Sequence, residues 1–390
     1  MRGVLGRGWR HERHKTHRFH AGRIDGDSLL TFNMQPLTEM GTAERRRPLT
    51  ATFVTSSEEI GRLDSFVRSL ASEPGMLAPG FFLASVSPKG WRPLLVVVSQ
   101  GRQVAGLLYC KERVIAGIGI RIAFADDALG CMIAADPEEA DSIMSCAVRA
   151  LLKRMFALRL LVSSDRLPLL SSIQESADLS YHRTKAHAHL ELSRTYDGFL
   201  GRLGPRTRRN FRYYRRKSEL AGNEFVSAIE FPDFCAAAGR LLPKAAYATC
   251  GSKETQQRHL AMIEAIPSRL LVGLRTAAGQ WIGLLGGWYE ADRAIILMQL
   301  NDRTCDCESV SVVLRSYLIE AAIDRGCREL VFWGGSSAPL SCYSVYPDMF
   351  MTHLDVRSIP WRMGRHAWGA IRKLAPSAFG RLLNSFVRGL

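Results

Sequence analysis

The sequence predicts an α/β chain of two tandem mixed sheets flanked by helices, with a disordered basic N-terminus and an amphipathic C-terminal tail. Three observations predict it. The chain has 390 residues, 47% of them hydrophobic, too many for one compact core and enough for two. A series of hairpin, strand, helix and strand occurs twice, about 175 residues apart. The wording of the hairpins also repeats: Gly101-Arg102-Gln103-Val104-Ala105-Gly106-Leu107-Leu108 is echoed by Gly279-Gln280-Trp281-Ile282-Gly283-Leu284-Leu285.

Residues 1–48 are rich in Gly, Arg and His and have no apolar period, so they read as a disordered basic tail. His11, His14, His17 and His20 recur every three residues there, as a solvated tail or a metal-binding tract. Order begins near Ala51. Ser56 and Ser57 precede the periodic run Ile60, Leu63, Phe66, Val67 and Leu70, a capped helix. Strands follow at 92–99, 103–110 and 116–125, then a helix over 138–156 and a strand over 158–163. These form a first lobe, 50–186. The second lobe, 187–356, opens with an alternating strand, His187–Leu192. A helix over 196–221, a strand over 224–230 and helices over 232–242 and 255–266 come next. The repeated series then fills 270–275, 281–289, 294–300, 309–325 and 329–333, with Gly326 as the helix stop. Residues 357–390 scatter Trp361, Trp368, Ile371, Leu374, Phe379, Leu383 and Phe386 among basic residues, an amphipathic tail broken at Pro376.

Composition excludes several classes. No window offers eighteen apolar residues, and the basic start lacks the apolar core of a secretory signal. The nine cysteines are scattered without a CxxC pair; Cys305 and Cys307 stand two apart with no second pair at zinc spacing. They read as reduced thiols of a cytoplasmic protein, with no metal site expected. The net charge of +15 is local. Residues 1–48 carry +5, residues 199–217 carry +8, residues 356–390 carry +7, and the rest of the chain is acidic. Such segments meet anions. On a helix, Arg208, Arg212 and Arg215 share one face. Their forks suit an anionic acceptor or RNA, and a solvated face is the plain alternative. The C-terminal tail fits either the body or an anionic membrane surface, the latter making the protein peripheral at the inner face of the membrane.

Three pieces of the second lobe carry a family resemblance. They are the basic helix Arg206-Thr207-Arg208-Arg209-Asn210-Phe211-Arg212, the hairpin and strand 270–300 ending in Asn301-Asp302 before a loop and helix, and Leu330-Val331-Phe332-Trp333-Gly334-Gly335. In that order they resemble the GNAT-type acetyltransferase domain of FemAB-like aminoacyltransferases and of acyltransferases associated with bacterial cellulose and exopolysaccharide production. The first lobe resembles the partner GNAT-like lobe. Three departures stand out: Val310-Ser311 occupies the place of Pro-Gly before the long helix, Val331 stands where the family often has an acidic residue, and Tyr343 comes after the glycine turn without a Lys.

The resemblance implies acyl transfer from acetyl-CoA or another acyl-CoA, as substrate, to an amine or hydroxyl of an envelope or polysaccharide-related acceptor. A charged tRNA donor and a catalytically degenerate binding protein are the alternatives. It implies that strand 294–300 pairs with pantetheine, involving Gln299 and Leu300. Arg303, Ser309, Ser311 and Val312 then lie at the phosphate end, where free helix amides attract anions. Arg208, Arg212, Arg215 and Gly335 are the expected acceptor contacts. Asp302, Glu308 and Tyr343 are the candidate proton-transfer groups. His187 and His189 read as strand histidines.

Overall fold

A computed structural model describes residues 48–70, 75–87, 89–115, 120–126, 131–172, 177–184, 187–245, 253–333, 335 and 340–356. The N-terminal tail, the C-terminal tail and the cysteine at 250 lie outside these residues.

The first sheet starts with β1 (Leu49–Val54), which pairs antiparallel with β2 (Trp91–Gln100). Between them come α1 (Ser57–Gly61), α2 (Asp64–Leu70) and α3 (Pro79–Ser85). The Ser56 side chain caps α1 by accepting from the Glu59 amide, as its place before the apolar run predicts. β3 (Gln103–Ile115) and β4 (Ile120–Asp126) continue the meander, with β5 (Met132–Ala134) on β3. Helix α4 (Ala140–Arg154) crosses to β6 (Ala157–Ser163), which runs parallel to β4. After α5 (Leu167–Ser172), β7 (Ala177–Thr184) forms the far edge.

The second sheet has the order β8-β13-β12-β11-β10-β9. Its strands are β8 (His187–Glu191), β9 (Glu224–Val226), β10 (Arg269–Arg275), β11 (Trp281–Glu290), β12 (Arg293–Asn301) and β13 (Glu329–Trp333). The antiparallel meander β10–β12 followed by a helical crossover to parallel β13 repeats the pattern of β2–β4 and β6. That crossover is α10 (Val310–Asp324). The helix expected over 196–221 is two helices, α6 (Tyr196–Arg202) and α7 (Pro205–Leu220). Pro205 lacks an amide and bars the preceding Gly204 from helical geometry, so the chain turns there. The strand expected over 224–230 ends at Val226, before α8 (Phe231–Leu241) and α9 (Lys253–Glu264).

The two sheets are tied in both directions. The last strand, β14 (Met349–Val356), belongs by sequence to the second lobe but lies in the first sheet, between β6 and β7. Buried Thr352 there donates to the Leu160 carbonyl at 2.6 Å, and Arg159 meets Asp355 at 2.8 Å. In return, α3 of the first lobe packs on α9, with the Phe81 ring edge-on to the buried Trp288 at 5.3 Å. A seam between the lobes results.

Candidate active site

Strands β12 and β13 pair from Arg293–Glu329 to Ile296–Phe332, yet β12 runs on to Asn301. Beyond that last pair the two strands fork. The other side of β12 is irregular at the same level. Gly286 opposes Met298 while Gly287 opposes Ile296, so Leu297 is the extra residue of a β-bulge. Gly287 makes the bulge possible: a Cβ there would stand 1.8 Å from the Ile295 carbonyl oxygen. Past the bulge, Asp302 donates its amide to the Ile282 carbonyl at 2.8 Å. Alternation along the antiparallel pair then turns the amides of Gln299 and Asn301 to the open edge. An isolated bridge between Ala245 and Asp302 closes the far end of that edge.

A cavity of about 590 Å³ meets the fork. Leu297 and Trp333, the first residues beyond the last pair on each strand, both line it. The opposite wall comes from the first sheet: Lys111 of β3, Phe124 of β4, Arg159 of β6, and Met351 and His353 of β14. Helix α9 adds Arg258, His259 and Met262. No carboxylate lines the cavity among the described residues.

The wall is cationic, and its titrating groups are shifted. Burial pulls His259 down to about 4, and Arg258 adds to the effect. Burial also lowers His353, with Arg159 acting the same way and Asp355 opposing it. Both imidazoles are therefore neutral at pH 7 and able to accept a proton. Burial brings Lys111 down to about 8; Asp126 works against the shift and Arg258 with it.

On the other face of the fork, α10 presents Arg315. It donates to the Gln299 side-chain carbonyl at 2.9 Å and its guanidinium stands 5.4 Å from the centre of the Phe332 ring. Burial lowers it to about 10. The Gln299 side chain is also held by Asn301 at 3.3 Å, so its backbone is what faces the open edge. Leu300 is fully buried in the core. Ser309 begins α10 in the left-handed region, at φ 48°, and its carbonyl accepts from the Val312 and Val313 amides. Ser311 and Val312 are half-buried and Arg303 is exposed in the turn Arg303–Glu308.

The three candidate proton-transfer residues are not brought together. Asp302 is buried and accepts from both the amide and the hydroxyl of Thr304, at 2.9 and 2.7 Å, with Lys244 at 3.8 Å. Burial would raise its carboxyl, but these partners hold it below the usual range. It organises the turn before α10. Tyr343 accepts from the Gly204 amide at the start of α7, at 2.7 Å. Glu308 closes the turn Arg303–Glu308, and its side chain lies outside the described residues.

The expected arginine face is also divided. Arg215 is clamped between Glu320 at 2.6 Å and the Tyr317 ring at 4.1 Å, and pairs with Glu219 at 3.2 Å. Arg212 faces Asp197 at 3.5 Å and Arg208 is half-exposed. The solvent-facing stripe is a different one: Arg206, Arg209, Tyr213, Arg216 and Leu220, all exposed. Gly335 makes a turn after β13 at φ 98°, its amide donating to the Phe332 carbonyl.

The first lobe differs. Among the described residues β4 stays paired with β6 to its last residue, Asp126–Leu161. The first turn of α4 carries Asp141, whereas the first turn of α10 has no acid.

Sequence reasoning missed the cavity residues. Lys111, Arg159 and His353 each interrupt a largely apolar strand, which is the one signal that marks them. Arg258 and His259 sit on an ordinary polar helix, and only the seam between lobes brings the five together.

No family model matches the chain, and no curated protein matches it. Solved structures do. FemX superposes with a TM-score of 0.56 at 9% identity, covering 80% of this chain and 99% of FemX. The C-terminal DUF2156 domain of a protein named as a lysylphosphatidylglycerol synthetase, from Agrobacterium fabrum, gives 0.50 at 13% identity, covering 81% of this chain and 98% of that domain. A conserved protein of unknown function from Bacteroides thetaiotaomicron gives 0.50 at 12% identity, covering 78% of this chain and the whole of that one. At these identities the likeness is one of fold: the chain shares the FemX-like arrangement of two GNAT-like mixed sheets flanked by helices.

Proposed function

We propose that this protein is an acyltransferase whose donor lies along the open edge of β12. The observation that carries this reading is the coincidence of fork, bulge and cavity at Leu297 and Trp333. An extended donor such as the pantetheine arm of acyl-CoA runs beside Gln299 and Asn301 as an added strand. Its reacting carbonyl then sits at the bulge, where amides displaced from the ladder can hold the developing oxyanion. The donor's phosphates reach the start of α10, with Arg303 as counter-charge.

The acceptor enters through the cavity between the lobes. Arg159, Arg258 and Lys111 favour an acceptor bearing phosphate or carboxylate, the chemistry of a nucleotide-sugar, a lipid-linked sugar or an acidic glycan of the envelope. The Agrobacterium relative is named for an aminoacyl ester of an anionic lipid, a comparable pairing of acyl group and acceptor. His259 and His353, both neutral, are the groups suited to take the proton of the attacking amine or hydroxyl. Acetyl-CoA titration and thiol release with anionic amine or sugar acceptors test the reading. Saturable CoA binding with acceptor-dependent thiol release is expected; no binding and no release overturns acyl-CoA as donor.

A second reading, an aminoacyl-tRNA donor, is favoured by the exposed stripe Arg206, Arg209, Tyr213 and Arg216 on α7. Arginines spaced along phosphates with a stacking ring between them suit RNA. Salt-sensitive tRNA binding that is lost on Arg209→Gln, together with no CoA binding, decides for it.

A further inference from the structure

We propose that Lys111 is a self-acylation site: when the cavity between the lobes holds no acceptor, the Lys111 amine takes the acyl group of a thioester donor bound at the fork. This rests on the acyl-thioester reading above.

The geometry carries the inference. Lys111 stands in the middle of β3, opposite Phe124 of β4 and Pro93 of β2, and lines the cavity that opens on Leu297 and Trp333. It also lines a smaller neighbouring cavity with Phe81 and Asp126, so its side chain has apolar surface on two sides. No carboxylate stands within ion-pair distance of it among the described residues; Arg159, by contrast, has Asp355. An ammonium in such a place is poorly solvated, and although Asp126 works to keep it charged, it loses its proton more readily than a surface lysine. The charged and titrating groups around it are Asp126 of β4, Arg258 and His259 of α9, Arg159 of β6, His353 of β14, the Tyr109 hydroxyl of its own strand and the Cys131 thiol. The balance leaves Lys111 near 8, where a useful share is the free amine at slightly alkaline pH.

The step is a simple aminolysis. The neutral Nζ of Lys111 attacks the thioester carbonyl carbon. The C–N bond of an amide forms, the C–S bond breaks, and the thiolate leaves and takes up the proton released by the amine. The product has lost a cation from the wall and gained an acyl group in the cavity, so it competes with an anionic acceptor.

The test uses the full chain with acetyl-CoA and no acceptor, at pH 7 and pH 9, followed by peptide mass mapping. One acetyl group on the Lys111 peptide is expected, forming at least several-fold faster at pH 9. Desulfo-CoA, which fills the donor site without reacting, protects Lys111. Surface lysines such as Lys89, Lys153 and Lys253 serve as internal controls. Acetylation spread equally over those lysines, or unaffected by desulfo-CoA, overturns the proposal. Acetyl-CoA binding by calorimetry with Lys111 unmodified overturns it while leaving the donor reading intact. Absence of CoA binding removes the donor reading and this proposal with it. Lys111→Arg keeps the charge and the fold, checked by circular dichroism, and must abolish the label.

Discussion

The Tyr343 hydroxyl accepts a hydrogen bond from the Gly204 amide at 2.7 Å, across 139 residues of sequence. Gly204 precedes Pro205 at the start of α7 and has no side chain to cap the helix, so a distant tyrosine satisfies one of its first free amides. A Cβ at residue 204 would meet that hydroxyl at 2.9 Å, which keeps the position small. Tyr343→Phe is expected to lower stability by about 1 kcal/mol, the worth of one cap bond. The proposed acyl transfer is expected to survive. A fall of about a hundredfold in kcat with unchanged denaturation would instead make Tyr343 a general acid.

The bulge at Leu297 depends on Gly287. The Ile295 carbonyl oxygen would lie 1.8 Å from any Cβ there, so the strands must move apart or the bulge must shift. Gly287→Ala is expected to cost about 2–4 kcal/mol, among the larger single-substitution effects. Urea denaturation measures it. Gly279→Ala is the useful contrast: its φ of 76° strains a side chain, but nothing lies within 4 Å, so it disturbs only its own turn.

The order of the elements was legible because it rests on short-range patterns. The turns at Gly101 and Gly279 and the alternation or apolar runs of the meander strands mark the two repeated series. The seam was not legible. Nothing in Met349–Val356 says that it will leave its own half and insert between β6 and β7, since pairing partners are fixed by long-range register. The fork was half legible: the strand and its following helix were expected, but the bulge appears only when Gly286 and Gly287 are matched against Ile296 and Met298. Arginine spacing on α7 gave a face, yet Tyr317 and Glu320 on α10 decide which arginines are occupied.

Arg215 illustrates that division. Burial works against its charge, and Glu320, Tyr196 and Glu219 more than restore it. Arg215→Gln leaves the half-buried Glu320 without its partner and strips the cation from the Tyr317 ring. A loss of about 2–3 kcal/mol is expected. Arg209→Gln, on the exposed stripe, is expected to change stability by less than about 0.5 kcal/mol. Equal losses in thermal or urea unfolding would contradict the assignment of Arg215 to structure.

Asp302 makes stability depend on pH. Its folded pKa lies below its unfolded value, so its contribution is fully present above the unfolded value, about 4, and fades as the pH falls through the folded one. Asp302→Asn keeps the shape but loses the charge facing Lys244 and Thr304. It is expected to cost about 1–2 kcal/mol at pH 7 and less at pH 3. Denaturation at both values checks the sign. An equal loss at both assigns the effect to packing.

The cavity wall changes charge in the opposite sense. At pH 7 Lys111 is mostly protonated and stands with Arg159 and Arg258, while His259 and His353 are neutral. Raising the pH through about 8 removes the Lys111 charge and leaves the two arginines. Sulfate, an anionic probe whose own charge is the same at both values, is therefore expected to bind about three- to tenfold more weakly at pH 9 than at pH 7, an energy of order 1 kcal/mol for one nearby charge at an intermediate effective dielectric. A bound anion favours the ammonium, so the midpoint in its presence moves above the free value. Lys111→Met is expected to weaken binding at pH 7 and flatten this dependence; Arg258→Gln weakens binding but leaves the slope. Calorimetry at the two pH values separates them. A pH dependence that persists in Lys111→Met would place the titrating cation elsewhere, and the same amine would then be a poor candidate for acylation.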